Sequence, residues 1–392
     1  MRRFIGGRLR PLACWACAAG LLAAASACRE AISETGPVAR GAQPDDPGAS
    51  GRLDHPVARA VADPRRGELM IELPPRDVPG GGEHHHEAMV QTPLAVIIVP
   101  ASGAVHGMRV EIVDQLGRQL PSAMLHHLNL LDLDHRELFL PVQLHVLAAS
   151  KETGTPSIPG RLFGLPLERG QRLVAYAMLH NPTATAHPAV RVRLVLSYTP
   201  ERRWWRPWPL FHAYPWSMDV MFPFGHPPGG IKAFDLPPGR SERSWEGRPA
   251  IAGKILAMGG HTHDHAVSLE LTDVTTGEVI WRVTPHKDDA GRVTGIPVRR
   301  FYRWNRVGLP ITPDHTYRVT VVYDNPTGRH LTDGGMGVVG GLFIPDRGQG
   351  WPAADTTDVV YRQDLHNTYG GEVGLTIQRN PLPGETLLRA SP

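Results

Sequence analysis

Short runs that alternate apolar and polar residues, cut by glycine and proline, recur along this chain and leave no room for long helices. RVEIVDQLGRQLP (109–121) alternates and then turns at Gly117; QRLVAYAMLHNP (171–182) and VRVRLVLSYTP (190–200) read as two strands joined by a loop. VSLELTDVTTGEVIWRV (267–283) reads as a hairpin around TTG, and YRVTVVYDNPTG (317–328) as a strand that ends in a Pro/Gly turn. No segment sustains a 3.6-residue apolar period. With 42 glycines and 38 prolines, about a fifth of the 392 residues favour turns over helix interiors. The expectation is an all-β chain of two antiparallel β-sandwiches in tandem. The Trp/Pro-rich piece RRWWRPWPLFHAYPW (202–216) falls between the strand groups as an inter-domain connection.

The first 28 residues read as an export signal: Arg2, Arg3, Arg8 and Arg10 precede a small-residue apolar stretch too short to span a membrane. It ends in ASAC, which resembles a bacterial lipobox with Cys28 as the lipidated residue; cleavage after ASA (25–27) is the alternative. Residues 29–66 are polar, rich in Pro, Gly and Ala, and without periodicity, as in a flexible tether. The sequence thus predicts a monomer exported to the bacterial cell envelope and held there by lipid, with the outer membrane or periplasmic face favoured. All three cysteines, Cys14, Cys17 and Cys28, lie in this leader, so the mature chain has no disulfide. Loss of the four arginines takes the formal charge from +3 to −1, which gives no basis for nucleic-acid binding.

Twenty histidines are many for this length, and they cluster in EHHHE (83–87), HH (126–127) and HTHDH (261–265). Adjacent residues of a regular strand point to opposite faces. His126 and His127 can therefore share a site only where the backbone kinks or the strand ends. His261, His263 and His265 stand at i, i+2 and i+4, so on a strand they share one face, and two imidazoles on one face can reach one metal ion. His180 sits at the end of a strand where a loop begins. The HHH run, His84–His86, reads equally as an exposed polar segment and as an extra metal site.

Taken in order, LHHLNL, AMLHNP, VRLVLSYTP, DLPPGR, GGHTH and VYDNPTGRHLTDGGMG resemble the copper type II, ascorbate-dependent monooxygenases, the family of peptidylglycine α-hydroxylating and dopamine β-monooxygenases. The resemblance covers residues 67–346. It implies two jelly-roll sandwiches, at 67–200 and 217–346, joined through 201–216 and followed by an extension at 347–392. Each sandwich would carry one copper, and the two coppers would face each other across a solvent-filled cleft. By motif, His126 and His127 match the histidine pair of the first copper. Matching the final HNP of the family's VHYHNP strand places Met178 and His180 at its two histidines, and His180 is the third ligand adopted here. His261 and His263 match the histidines of the second copper. The family's methionine ligand aligns with Leu342; a shift in register brings Met336 to that role, and His265 is a local alternative. The family's disulfides are missing, and its set of residues for a peptide carboxylate has no counterpart here, so substrate identity does not carry over.

Three functions compete. The first is hydroxylation of a C–H bond in a small-molecule or peptide substrate with O2, two copper ions, and ascorbate or another reductant. The second is non-catalytic copper binding or metal handling by a lipoprotein of the same fold. The third is metal-free catalysis by paired carboxylates on the same architecture, as in peptide N-glycanases of related fold, but no acidic pair stands out.

Overall fold

The computed structural model describes residues 56–81, 89–149, 157–181, 183–201, 211–222, 233–289, 292–303 and 305–369. Cys28, the tether to residue 55 and His84–His86 lie outside these residues. The described residues are nearly all β, with one α-helix in their C-terminal part. The elements that build the site are β1 (Met89–Gln91), β2 (Leu125–Arg136), β3 (Gln143–Ala149), β4 (Arg172–His180), β5 (Tyr214–Asp219), β6 (Gly253–Thr262), β7 (Tyr317–Asn325), β8 (Leu331–Gly335), β9 (Gly337–Pro345) and the helix α1 (Val359–Tyr369).

Strands before residue 213 form a five-stranded sheet, ordered β1-β4-β2-β3 with Ala95–Ile98 also paired to β4, and a seven-stranded sheet around His187–Pro200 and Gly103–Val113. After residue 213 a five-stranded sheet runs β5-β9-β6, with the short strands Arg299–Arg300 and Leu309–Ile311 also paired to β6, and a four-stranded sheet has β7 paired with Gly239–Gly247 and Ala266–Asp273. No sheet of the described residues mixes strands from the two halves. The segments Arg172–His180 and His187–Pro200, neighbours in sequence, enter opposite sheets of the first half. The TTG hairpin forms as its alternation demands, with Gly277 taking the left-handed φ of 75° that its turn requires.

Apolar alternation decides which face of each sheet is inside. Leu173, Ala175, Ala177 and Leu179 of β4 enter the core, as do Leu128 and Leu130 of β2. The intervening residues therefore line the outer face. In the second half Trp216 and Met218 of β5, Val339 and Phe343 of β9 and Met258 of β6 point inward. Ser217, Asp219, Val338 and His261 then stand on the opposite, outer face. One apolar cluster runs through both halves. It is continuous at Phe139, whose ring meets Trp216 at 5.6 Å and Tyr317 at 6.0 Å, while Ala250 N–H donates to the Leu138 carbonyl.

The C-terminal segment returns to the first half. Trp351 stacks on Tyr214 at 4.4 Å and donates its indole N–H to the Arg136 carbonyl. Helix α1 starts where the Asp358 carboxylate accepts the N–H groups of Val360 and Tyr361. Its Tyr361 and Leu365 then cover Val96, Leu133 and Val174 on the outer face of the five-stranded sheet.

The halves repeat one local device. Asn181 and Asn325, both buried, each begin an Asn-Pro-Thr turn at a strand end. Each Oδ1 accepts the N–H and Oγ1–H of the threonine two residues on. Each Nδ2 donates to the carbonyl four residues on, of Thr185 or Arg329, and to a proline carbonyl, of Pro79 or Pro237.

Candidate functional site

The adjacent histidines of β2 are reconciled by a β-bulge. Met178 of β4 pairs with His127, but the next β4 residue, Leu179, pairs with Leu125, so His126 is the extra residue. A bulge bends the strand and re-aims its side chains. The two imidazoles come together, with ring centroids 4.1 Å apart and planes tilted by 52°. His127 stands on the outer face opposite Met178, and His180 lies two residues further along that same face of β4. The 53 residues between His127 and His180 are thus closed by one strand pairing. The Asn181 turn described above anchors the backbone immediately after His180.

On β6, His261 pairs with Val338 and Thr262 with Gly337, and the same register continued brings His263 level with Met336. The His261 and His263 rings are edge to face with centroids 5.4 Å apart. Tyr323 of β7, fully buried, fastens this end of the sheet. Its hydroxyl accepts the N–H of His263 at 3.0 Å and that of Met336 at 2.9 Å, and donates to the Met336 carbonyl. Burial pushes that phenol up to about 12, so it stays protonated. Backbone groups of Asp333 and Gly334 lie near the His263 ring and favour its protonated form. Met336 is fully buried yet belongs to none of the apolar core clusters. His265 occupies a left-handed turn position with φ of 70°, and its carbonyl accepts the Asp324 N–H.

The two sets are coupled electrostatically. His127 is 6% exposed, and its pKa falls to about 3, first through burial and then through the charges that His126 and His261 would carry. The coupling to His261 brings one imidazole of the second set into the electrostatic neighbourhood of His127. His263 is also held below the ordinary imidazole value by burial, against the opposing pull of the Asp333 and Gly334 backbone groups and the Asp264 charge.

Donor chemistry and burial test whether these residues fit a metal. Both ring nitrogens of His127 are sealed from solvent and have no hydrogen-bond partner among the described residues. A buried neutral imidazole with two idle nitrogens is costly unless something binds it. The Nε2 atoms of His126, His180 and His261 are likewise out of solvent contact. Imidazole and thioether together suit copper in both of its common oxidation states. As the side chains stand, no three His, Cys, Asp or Glu groups among the described residues close to ion-holding distance. The fit therefore rests on histidine pairs, each with a further donor nearby. Sequence reasoning passed over Tyr323, which no local pattern marks, and Asp219, a buried acid in one row with Val338 and His261 across three strands.

No family model and no curated protein matches the chain. Among solved structures it is similar to PNGF-II in a P21 crystal form at 8% identity and a TM-score of 0.30, over 70% of this chain and 65% of that one. The C2 form of PNGF-II gives 11% identity and 0.30 over 72% and 66%. Allantoicase from Saccharomyces cerevisiae gives 10% identity and 0.17 over 67% and 80%. The chain spans just under two thirds of the length of the two PNGF-II chains.

Proposed function

We propose that this chain is a copper-binding protein of the bacterial cell envelope, built like the ascorbate-dependent monooxygenases, with two coppers held between its halves. His126, His127 and His180 would hold one ion, and His261, His263 and Met336 the other. The observation that carries the reading is the bulge at His126, which brings two adjacent imidazoles together, with His127 electrostatically coupled to His261.

When bound, copper would supply the redox change and oxygen chemistry for hydroxylating a C–H bond, with ascorbate or another reductant as electron source. The chain's own residues do the rest. Burial keeps the His127 lone pair unprotonated and ready to bind. Backbone groups of Asp333 and Gly334 lie near the His263 ring, where second-layer partners of metal-bound histidines are commonly found. Tyr323 ties the backbones of His263 and Met336 into one unit, so the histidine and the thioether on different strands move together.

Non-catalytic copper handling is the second reading, and the burial of His127 favours it: a ligand 6% exposed suits storage better than turnover in an open cleft. Metal analysis of the mature protein with oxygen uptake under ascorbate separates the two. Two coppers with uptake support the enzyme; copper without uptake supports the binding protein. In both readings Cys28 carries the lipid and residues 29–55 the tether, since Arg59–Asp63, expected as part of the tether, forms a strand paired with Glu68–Glu72, so Cys28→Ser protein is expected in the soluble fraction.

A further inference from the structure

At the junction of the two halves lies a pocket to which none of the candidate ligands contributes. It measures about 40 Å³ and is almost wholly apolar. One wall is the open edge of the first half's sandwich: Val146 and Leu147 of β3, the edge strand of the five-stranded sheet, with Val105 and Leu165, paired neighbours in the seven-stranded sheet. The other wall is Ala213 with Pro215 and Leu342, which pair across β5 and β9. Val105, Val146 and Leu165 belong to the large apolar core, whereas Ala213 and Leu342 pack in a separate cluster with Phe163 and Ile344. The pocket is the seam between the two.

Sheet irregularities explain the gap. Ser197 pairs with Gly107 and Tyr198 with Val105, so His106 is an extra residue; Leu130 pairs with Leu147 and Leu131 with His145, so Val146 is another. Each bulge bends its strand, and both bulged residues line the pocket. The His106 ring is seated against Gly160, where an added Cβ would come within 2.5 Å of it. Burial holds that imidazole below its ordinary value, so it lines the gap as a neutral ring.

Size and polarity select the occupant. A buried water needs several polar partners, which this lining lacks, whereas an apolar cavity stays dry and takes apolar molecules. The volume is about a quarter of that of a cavity that admits benzene, so only a molecule of a few atoms fits. The pocket also shares a surface with the second histidine set. On the outer face of the β5-β9-β6 sheet, Pro215, Leu342 and Ala257 form one row, Ser217, Gly340 and Gly259 the next, and Asp219, Val338 and His261 the third. Leu342 and Val338 are four residues apart on β9, about 13 Å at the rise of a strand. In the row between them neither β9 nor β6 carries a side chain.

We infer that this pocket binds a small apolar molecule, and that the molecule is dioxygen bound for the ion at His261. The second clause rests on the copper reading; the first stands without it.

Xenon, an apolar probe of similar size, tests the first clause through its own NMR signal in solutions of the mature full chain. The xenon shift should show a saturable component in the wild type. Ala213→Leu and Leu147→Phe fill the pocket from opposite walls, and each should abolish that component in folded protein with Tm retained. No saturable component in the wild type, or one unaltered in a folded filled variant, would overturn the site. In copper-loaded protein the same variants should raise KM for oxygen several-fold and leave kcat and copper content unchanged. An unchanged KM in a variant that has lost xenon binding would overturn dioxygen as the occupant. A chain that binds xenon but takes no copper keeps the pocket and loses the copper reading; a chain that takes two coppers and consumes oxygen but ignores xenon loses only the pocket.

Discussion

The two halves share the Asn-Pro-Thr turn, contact for contact, yet place their histidines on non-equivalent strands. In the first half His180 immediately precedes the turn asparagine, and its strand pairs with the bulged His126/His127 strand. In the second half the corresponding position is Asp324, which is exposed, and the histidines stand on β6 in the other sheet. A common framework has thus been loaded differently. The first set reaches one face by breaking strand regularity and leaves both ring nitrogens of His127 without a hydrogen-bond partner among the described residues; the second exploits strand regularity and is braced by Tyr323. The difference teaches that the first set is strained toward binding, whereas the second is arranged whether or not anything binds.

The largest test of this contrast is pH. The folded pKa of His127 lies below its ordinary 6.5, at about 3, so the unfolded chain takes up a proton that the folded chain refuses. Stability is fully present above pH 6.5 and is lost as pH falls toward 3, at about 1.4 kcal/mol per pH unit for this one group. Denaturant unfolding of the metal-free protein should show that slope, and His127→Leu should flatten it. A slope unchanged in the variant would remove the claim that the first set is the strained one.

Metal affinity comes next. His127→Ala should cost the first ion at least the ~100-fold that loss of a supporting residue can cost a metal site, while the second ion stays. Deleting His126 should do the same by restoring the β2–β4 register, since one residue is all that the bulge contains. Competition against a Cu(I) chelator reads both.

Tyr323→Phe should have a smaller and opposite pattern. It removes the acceptor of two backbone N–H groups and should destabilise the fold by about 2 kcal/mol. The second ion should weaken by about tenfold and the first should not change. Smallest is Met336→Leu, which keeps the packing volume: Cu(II) binding should hold, and Cu(I) binding should drop by a few-fold as the soft donor leaves. If His265→Ala instead abolishes the second ion and Met336→Leu does nothing, the methionine assignment fails.

The β character of the chain was readable because alternation and turn residues are local properties, as TTG at 275–277 shows. Pair partners are not local. That His126 is an extra residue opposite β4 depends on a strand 50 residues away, so the sequence offered only the puzzle of two adjacent imidazoles. Helix α1 went unread because its apolar period is weak, though the TTD that precedes it already contained its cap, Asp358. The NPT strings at 181–183 and 325–327 did advertise the repeat, since the same three residue types with the same hydrogen-bonding reach make the same turn. Tyr323 acts through the backbone of two strands at once, which no spacing along the chain can signal.

Copper stoichiometry decides the central claim most directly. Mature wild-type protein, His127→Ala and His261→Ala would be loaded with Cu(I), freed of weakly held metal by a competing chelator, and assayed for copper per chain. The account predicts two ions in the wild type and one in each variant, with the lost ion differing between the variants in its X-ray absorption signature: nitrogen-only coordination disappears in His127→Ala, and the sulfur contribution disappears in His261→Ala. Wild-type protein that retains no copper, or variants that retain as much as wild type, would contradict it.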